Sequence, residues 1–410
     1  MDERGGGNVT SGRLRSSSLA TRDGRVQPSC QCRPVVTTWS RLNIFREMPT
    51  IHELPTPALL LDLDILEGNL RRMQETANRL GVHLRPHVKT HKCIEIALAQ
   101  RALGAHGITV STLAEGRAFA DAGFDDITWA FPVVPGRLQE AAQLADRVRL
   151  GMVADSTTAV DVLVGSGAPF RVWLKIDCGY GRVGVDPRSS APRELADRVL
   201  GGGLELAGIL SHSGNAYRAS SRDEIARIAE VERRTMVDLA GELAAEGISV
   251  PDTSIGSTPS MSAYPTLEGI TEVRPGNYAL HDYTQVLLGS CAVRECAATV
   301  LTTVVSSSQD RAISVVDAGA LAMSLDPGPE HMGRRSFGEV LDARGPGMVR
   351  RNARLTSLSQ EHGIVSSSFD VGARIRVLPN HSCLTVACFD AFFVVRGDEV
   401  LDSWPILRQR

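Results

Sequence analysis

The chain lacks most of the features that mark a specialised class of protein. Its 44 basic and 47 acidic residues leave a net charge of −3 over 410 residues, so it has no excess of positive charge for binding nucleic acid. It contains no apolar run of the about 20 residues that a membrane-spanning helix needs. Its eight cysteines are too sparse for a disulfide scaffold. These absences predict a reduced, cytoplasmic globular protein that binds neither nucleic acid nor membrane.

Residues 1–47 differ in composition from the rest of the chain. They are rich in glycine, serine, arginine and threonine and contain few apolar residues, so they cannot bury enough surface to fold. We expect either a disordered tail or a mis-called start, with translation beginning at Met48. Cys30 and Cys32 lie in this tail, and we assign them no chemistry.

Residues 48–283 alternate short β-branched runs with helical segments, which is the pattern of βα units. Polar and glycine-rich residues recur at almost every predicted strand end, and this favours a TIM (β/α)8 barrel over a doubly wound open sheet. The clearest helix is predicted over residues 221–246, with Ile225, Met236 and Leu243 on one face. The eight predicted strands cover residues 83–89, 107–111, 126–131, 148–154, 171–177, 205–212, 253–257 and 272–278.

Residues 284–410 have a different texture, with short strands and turns in place of the alternation, and predict a separate, mostly antiparallel β domain. Gly397 and Asp398 form a hairpin turn signal. The glycine- and arginine-rich residues 326–354 are predicted to form a long loop, to which we assign no role. The predicted strands cover residues 291–306, 311–318, 373–378, 384–388, 391–396 and 399–404.

A basic cluster at residues 85–92 holds the strongest candidate for a catalytic side chain. Lys89 ends a predicted strand and is flanked in sequence by Arg85, His87, His91 and Lys92. Neighbouring positive charge disfavours an ammonium ion, so this amine is a candidate nucleophile. It would form a Schiff base with pyridoxal phosphate or with a carbonyl substrate. The alternative is a solvated basic loop or an anion site.

Gly256, Ser257 and Thr258 lie at the end of the seventh predicted strand and precede a helix. Backbone N–H groups and hydroxyls at such a point suit a phosphate group, and barrels often bind phosphate there. The alternative is a simple turn with a helix cap.

His381 and Cys383 form a second candidate site in the predicted β domain. Residues i and i+2 of an extended chain point to the same side, and imidazole and thiolate both suit Zn²⁺. Two protein ligands with water completing the sphere would make an open site of the catalytic type. The alternative is a loop histidine beside a buried cysteine.

These segments resemble the D-serine dehydratase / D-threonine aldolase family, which are fold-type III pyridoxal phosphate enzymes related to alanine racemases. The resemblance runs from about residue 55 to residue 404. Besides the entry strand at 56–62, it rests on five motifs in family order. They are the lysine motif at 85–92, the arginine segment at 175–185, the phosphate loop at 256–259, the eighth-strand segment at 274–278 and the metal segment at 379–383.

The resemblance implies a role for each matching residue. Lys89 would carry pyridoxal 5'-phosphate, and residues 256–258 would hold its phosphate. Arg182 would lie near the phenolic oxygen of the cofactor, and Tyr278 would belong to the cofactor site. His212 and Tyr217 lie in a loose version of the family's histidine–tyrosine segment and would also contact the cofactor. His381 and Cys383 would bind Zn²⁺ (or Mn²⁺), and the protein would be a homodimer acting on a D-amino acid.

The metal pair also bears on the reaction. Family members that dehydrate D-serine carry His-x-Cys, whereas many D-threonine aldolases carry His-x-Asp, and a softer thiolate favours zinc. Cys383 therefore favours dehydration to pyruvate and ammonia, with Lys89, His212 and Arg182 as the catalytic residues. The alternatives are a D-threonine aldolase giving glycine and acetaldehyde, with His212 or metal-bound hydroxide as base, an amino-acid racemase, a non-catalytic pyridoxal phosphate carrier, and a cofactor-free aldolase.

Overall fold

The computed structural model describes residues 50–333, 335–342 and 349–408. The predicted tail at residues 1–47, with its two cysteines, lies outside the described residues, and so does part of the predicted loop at 326–354. Within these ranges, no helix combines the length and the apolar character needed to cross a lipid bilayer.

The strands are numbered in chain order. They are β1 Ala58–Asp62, β2 His83–Leu84, β3 Ile108–Val110, β4 Asp126–Pro132, β5 Arg149–Ala154, β6 Arg171–Lys175, β7 Glu205–Leu210, β8 Asp252–Ile255, β9 Glu272–Val273, β10 Ala298–Ser308, β11 Ile313–Val316, β12 Glu339–Leu341, β13 Val349–Leu358, β14 Gly363–Val365, β15 Arg374–Leu378, β16 Ala391–Arg396 and β17 Glu399–Pro405.

The helices are numbered in the same way. They are α1 Leu63–Leu80, α2 Ile94–Ala102, α3 Leu113–Asp121, α4 Leu138–Ala145, α5 Thr157–Gly165, α6 Ala191–Gly201, α7 Arg222–Ala245, α8 Thr258–Met261, α9 Tyr283–Leu287, α10 Ala320–Met323 and α11 Ser382–Val386.

The first sheet contains eight parallel strands in the order β2-β9-β8-β7-β6-β5-β4-β3. All eight strands predicted for this part of the chain are therefore confirmed, although the first and last are only two residues long. The two outer strands approach each other just beyond β2, where a parallel bridge joins His87 to Thr109. The Thr109 amide donates to the Pro86 carbonyl at 2.8 Å. The parallel sheet is thus TIM-like, and its carboxyl ends meet at one mouth.

The covering helices follow from apolar periodicity and from their caps. The predicted helix at 221–246 is confirmed as α7, which begins after the capping residue Ser221 and buries Ile225, Met236 and Leu243. Asp62 caps α1 by accepting from the Ile65 amide at 3.1 Å. Each cap satisfies backbone donors that would otherwise have no partner at the first turn.

The second sheet is mostly antiparallel, with the order β11-β14-β13-β12-β15-β10-β1-β16-β17. β1 belongs to this sheet although it precedes the parallel sheet in sequence, because it pairs antiparallel with β10 and parallel with β16. The chain therefore begins its described part in the second sheet, crosses to form the parallel sheet, and returns.

Two predictions in this region are wrong. The strand predicted at 384–388 is α11, a short helix that His381 precedes and that Thr385 anchors through its hydroxyl to the Met323 carbonyl at 3.0 Å. Tertiary contact here overrides the β propensity of a short apolar run. The loop predicted at 326–354 contains β12 and part of β13. Its glycines and arginines concealed an alternation in which Ala353 and Leu355 are buried.

Arg85 belongs to the frame of the parallel sheet. Its guanidinium is 2.5 Å from Glu272 Oε2 and 2.7 Å from Asp126 Oδ1, and these carboxylates belong to the first residues of β9 and β4. The side chains of Arg85 and Glu272 are 3% and 4% exposed. Burying these charges is tolerable only because they are paired.

We predict that Arg85→Met lowers the free energy of unfolding by about 3 kcal/mol or more, because Glu272 is left charged and buried without its partner. Chemical denaturation followed by circular dichroism measures this change. Arg149→Met is the matched control, since Arg149 is 61% exposed and lies 3.8 Å from the same Asp126 carboxylate. Equal losses in the two variants would contradict the structural role of Arg85.

Candidate active site

A cavity of about 1060 Å³ opens at the carboxyl ends of the parallel strands. Its wall comes from the loops that follow those strands and from the start of α11 in the second sheet's half of the fold. Nine of the ten predicted site residues line it. They are Lys89, Arg182, His212, Tyr217, Gly256, Ser257, Thr258, His381 and Cys383.

Tyr278, the tenth predicted residue, is placed differently. Its side chain is buried and its hydroxyl accepts a hydrogen bond from Gln100 Nε2 at 2.9 Å. It is not among the described residues that line the cavity. Its backbone amide does reach the site, because it donates to Thr258 Oγ1 at 3.1 Å.

Lys89 stands on a 3-10 turn, Val88–Thr90, just after β2. The sequence places four basic residues around it, but the structure pairs two of them elsewhere. Arg85 is held by Glu272, and the Lys92 ammonium contacts the Glu115 carboxylate. Desolvation, and then the charge of Lys89, lower the pKa of His87 well below its ordinary value, so this imidazole is uncharged. The prediction that positively charged sequence neighbours make Lys89 a nucleophile therefore gave the wrong physical reason.

Other cations that face the cavity with Lys89 come from distant parts of the chain. They include Lys175 at the end of β6, Arg182 in the following loop and Arg274 after β9, and Arg218 and the paired Lys92 also line it. Burial, together with the charge of Arg274, lowers the pKa of Lys175 to about 7. Sequence reasoning missed Lys175 as a site residue, although a lysine that ends the apolar run Val172–Leu174 was an available signal.

His212 follows β7 and lies beside these cations. Desolvation and the charges of Lys175 and Lys89 lower its pKa well below the ordinary value. The ring of Tyr180 packs edge-on against His212 at 6.0 Å, and Arg182 lies 4.9 Å from the centre of the Tyr180 ring. The imidazole therefore stays neutral and offers the cavity a hydrogen-bonding nitrogen without a further positive charge.

Two glycine turns form one end of the cavity. Gly256 has a φ of +102° and lets the chain turn into α8. Ser257 then caps that helix, since the Ser260 amide approaches its Oγ and the Ser257 amide donates to Ser260 Oγ at 2.9 Å. A Cβ on Gly276 would lie 2.6 Å from the His87 carbonyl oxygen, so only glycine allows this approach. The sequence left two alternatives for residues 256–258, a helix-capping turn and a phosphate site. The structure shows the capping turn, and this turn lines the cavity, so the two roles are compatible.

His381 and Cys383 meet at the start of α11, on a helical turn and not on the extended chain expected from the sequence. Burial opposes ionisation of the Cys383 thiol, but His381 and then Lys89 outweigh it and lower its pKa. Burial likewise opposes protonation of His381, yet Cys383 and Asp326 raise its pKa well above the ordinary value. The Cys383 sulfur also lies 3.4 Å from Thr90 Oγ1, beside Lys89.

Asp326 orients this pair from the region predicted as an unassigned loop. Its Oδ2 accepts from His381 Nδ1 at 3.0 Å, and the Gly328 amide donates to its Oδ1 at 2.8 Å. The bond fixes the imidazole so that Nε2 is left for an ion, the arrangement that outer carboxylates give to metal-binding histidines. No sequence motif marked Asp326. In the described part of the chain, no group of three or more acidic, histidine or cysteine side chains forms a complete metal site.

Comparison with known proteins identifies the family. Residues 61–283 match the family model described as "Alanine racemase, N-terminal domain", and residues 297–395 match "Putative serine dehydratase domain". The chain therefore belongs to the alanine racemase-like family whose members also carry the serine dehydratase domain. Enzymes of this family are of fold type III, which implies pyridoxal phosphate as the cofactor.

The family relatives cover nearly the whole described chain. The D-threo-3-hydroxyaspartate dehydratase of Delftia sp. (strain HT23) is 39% identical over 379 residues, which is 87% of this chain and 98% of that protein. The D-serine dehydratase of Dictyostelium discoideum is 35% identical, covering 86% and 97%. The D-threonine aldolase of Arthrobacter sp is 33% identical, covering 86% and 92%. These relatives are lyases, and this chain is a lyase of the same family.

Solved structures agree with this assignment. The Delftia dehydratase superposes with a TM-score of 0.84 at 37% identity, covering 88% of this chain and 100% of that one. A variant of D-threo-3-hydroxyaspartate dehydratase in the metal-free form has a TM-score of 0.85.

The cavity fits the family's cofactor. The cations facing it suit a phosphate and a phenolate, and the turn at residues 256–258, where α8 begins, lines the same space. The donor set of imidazole and thiolate fits a divalent ion of the zinc type.

We predict that Asp326→Asn weakens zinc affinity about 10- to 100-fold, because the amide supports the imidazole less well than a carboxylate does. Competition with a chromogenic chelator measures this affinity. Glu330→Gln is the control, since this exposed carboxylate in the same segment pairs with Arg335. Unchanged affinity in Asp326→Asn would contradict its orienting role.

Proposed function

We propose that this enzyme is a pyridoxal phosphate- and divalent-metal-dependent lyase for D-β-hydroxy-α-amino acids, and that its main reaction is dehydration of D-serine to pyruvate and ammonia. The observation that carries the proposal is that Lys89 and the His381–Cys383 pair line one cavity. They lie close enough for the charge of Lys89 to lower the pKa of Cys383. An amine for the cofactor and ligands for a Lewis acid are thus available to a single small substrate.

Each part of the cofactor has a candidate partner. Lys89 would bind its carbonyl carbon, and Arg182 would hydrogen-bond near its phenolic oxygen. The turns at residues 256–258 and 276–277 would hold the phosphate with backbone amides and the Thr258 hydroxyl, while Tyr217 borders the same space. When bound, pyridoxal phosphate withdraws electrons from the substrate's α-carbon. This proposal also includes closure of the eight parallel strands into a complete TIM barrel, which the His87–Thr109 bridge supports.

The chain's own groups would handle the protons. Once its amine is free, Lys89 Nζ would take the proton from the α-carbon of the substrate. His212 stays uncharged beside Lys175 and Arg182, so its ring would hydrogen-bond the reacting groups without adding another positive charge.

His381 and Cys383 would hold a zinc ion, whose Lewis acidity makes the β-hydroxyl a better leaving group. Zinc is preferred over Mn²⁺ because the Cys383 sulfur is a soft ligand and its lowered pKa favours the thiolate. With Asp326 on Nδ1 of His381, the ion has two protein ligands and keeps room for water and for the substrate hydroxyl.

A D-threonine aldolase reaction is the second candidate. The β-hydroxyl, made more acidic by the metal ion, would lose its proton to His212, which starts cleavage of the Cα–Cβ bond. The relationship to an aldolase at 33% identity also favours it. The presence of the thiolate ligand, and the higher identity to the two dehydratases, favour dehydration.

We further propose that the enzyme is a cytoplasmic homodimer. Leu321, Leu325 and Leu384 are 58%, 65% and 45% exposed, and Leu384 lines the cavity, so a second copy would cover an apolar rim there. The described cysteines are all free thiols, which fits a reducing compartment.

We predict that the enzyme supplied with pyridoxal phosphate and Zn²⁺ converts D-serine to pyruvate and ammonia, and that Cys383→Asp shifts the preferred ion from Zn²⁺ towards Mn²⁺. The hard carboxylate would replace the soft thiolate at an unchanged position. Product identification by mass spectrometry, with each ion in turn, measures both effects. Glycine and acetaldehyde from D-threonine, with no pyruvate from D-serine, would make the enzyme an aldolase.

We predict that Lys89→Ala abolishes covalent attachment of pyridoxal phosphate, because no other amine replaces it at the turn after β2. Borohydride reduction followed by peptide mass spectrometry detects the attachment. Lys92→Met serves as the matched control, since Lys92 belongs to the same motif but pairs with Glu115. A reduced adduct on Lys175 in the wild-type enzyme would overturn the assignment.

A further inference from the structure

Cys291 and Cys296 form a thiol pair outside the cavity. Both are free thiols, and their side chains are hydrogen-bonded to each other. A 3-10 turn, Val293–Glu295, brings them together. The Cys296 amide donates to the Val293 carbonyl at 3.1 Å, and Glu295 closes the turn by accepting from the Ala292 amide at 2.7 Å. Cys291 also packs against the small apolar cluster that contains Cys296, so rotation of the two side chains can bring their sulfurs to bonding distance.

The two thiols differ in the way that a nucleophile and its resolving partner differ. Cys291 is partly exposed, whereas Cys296 is 5% exposed. The hydrogen bonds from Cys296 and then from His281 lower the pKa of Cys291 to about 6, while the pKa of Cys296 is raised. His281 is 8% exposed, has a φ of +52°, and its Nδ1 is buried without a hydrogen-bond partner among the described atoms. Such a setting makes the accessible sulfur reactive.

The pair lies directly behind the metal segment. Cys296 packs with Tyr283 and Leu378, which lie in α9 and at the end of β15. The Tyr283 amide donates to the Pro379 carbonyl at 3.0 Å. A shift of the Cys296 sulfur towards Cys291 therefore changes the packing on α9 and on the end of β15, the strand that leads to His381.

Asp282 carries the connection to the metal pair. It follows His281 and caps α9 by accepting from the Gln285 amide at 3.0 Å. Its other oxygen accepts from the Ser382 amide at 3.0 Å, and Ser382 lies between His381 and Cys383 in the chain. Movement of the segment that begins at His281 is thus transmitted by one carboxylate to the backbone between the two candidate ligands.

We propose that Cys291 and Cys296 form a reversible disulfide, and that this disulfide weakens metal binding at His381 and Cys383. The second half of this inference rests on the proposed function, whereas the first half does not.

A small organic disulfide such as glutathione disulfide is the oxidant. The Cys291 thiolate attacks one of its sulfurs, forms a mixed disulfide and releases one thiolate, which takes the Cys296 proton. The Cys296 thiolate then attacks the Cys291 sulfur and releases the second small thiolate, which takes from water the proton that Cys291 gave up on ionising. Two protein thiols are oxidised to one disulfide, and the small disulfide is reduced to two thiols.

Peptide mapping tests the pairing without any metal. The full chain is incubated with glutathione disulfide, alkylated, and digested with trypsin under non-reducing conditions. Trypsin cleaves after Arg294, so the two cysteines fall in peptides 235–294 and 295–311, each with a single cysteine. We expect these peptides to be linked after oxidation and separated by dithiothreitol. Absence of the linked peptides would overturn the pairing. This result does not depend on whether the protein binds zinc.

Zinc affinity, measured by chelator competition, tests the consequence. We expect oxidation to weaken it on the order of tenfold, the lower end of the effect of disturbing outer partners of a metal site. Cys291→Ser should bind zinc like the reduced wild type and should not respond to glutathione disulfide. Cys388→Ser, the control at a half-buried thiol after α11, should respond like the wild type. Linked peptides with unchanged affinity, or a loss that persists in Cys291→Ser, would overturn the switch.

Discussion

The buried carboxylate of Asp282 ties the two halves of the candidate site together. Its Oδ2 accepts from Asn277 Nδ2 at 2.6 Å and from the Ser382 amide at 3.0 Å. Asn277 belongs to the loop after the last parallel strand, and Ser382 belongs to the metal segment of the second half. An acceptor buried at 1% exposure gives up its hydration, so these donors must stay in place. The position of His381 and Cys383 relative to Lys89 depends on this contact.

The charges around the cavity are arranged in two sets. Arg85 and Lys92, close to Lys89 in sequence, are paired with buried carboxylates, and of these two only Lys92 lines the cavity. Lys175, Arg182 and Arg274 come from other parts of the chain and face the cavity. Because the parallel sheet and its loops bring this second set together, the concentration of positive charge in the cavity depends on the fold.

The sequence was sufficient for the parts that carry a local pattern. The eight parallel strands followed from alternating runs, and the residues at their ends were predicted to meet because parallel strands share one carboxyl edge. The same argument, with the family motifs, brought Lys89, Ser257 and Cys383 into consideration. Side-chain partners were beyond it. That Arg85 pairs with Glu272 depends on a contact across 187 positions, which no local pattern records.

The second sheet was harder to predict for a related reason. The arginines of β13 made its alternation of buried and exposed residues hard to recognise in the sequence. The segment at 384–388 contains β-branched residues, but it is a helix because Thr385 and its neighbours pack on α10. The membership of β1 in the second sheet depends on pairing with β10 and β16, far away in the chain. Asp326 and Asp282 likewise act through partners far away in the chain, His381 and Ser382, so neither had a sequence signal.

The central claim is that the lysine and the metal pair serve one substrate in one cavity. A crystal structure of the enzyme with pyridoxal phosphate and zinc, with data collected at the zinc absorption edge, tests it most directly. We predict an anomalous peak beside His381 Nε2 and Cys383 Sγ, and cofactor density continuous with Lys89 Nζ in the same cavity. Zinc bound elsewhere, or cofactor density joined to Lys175, would contradict the account.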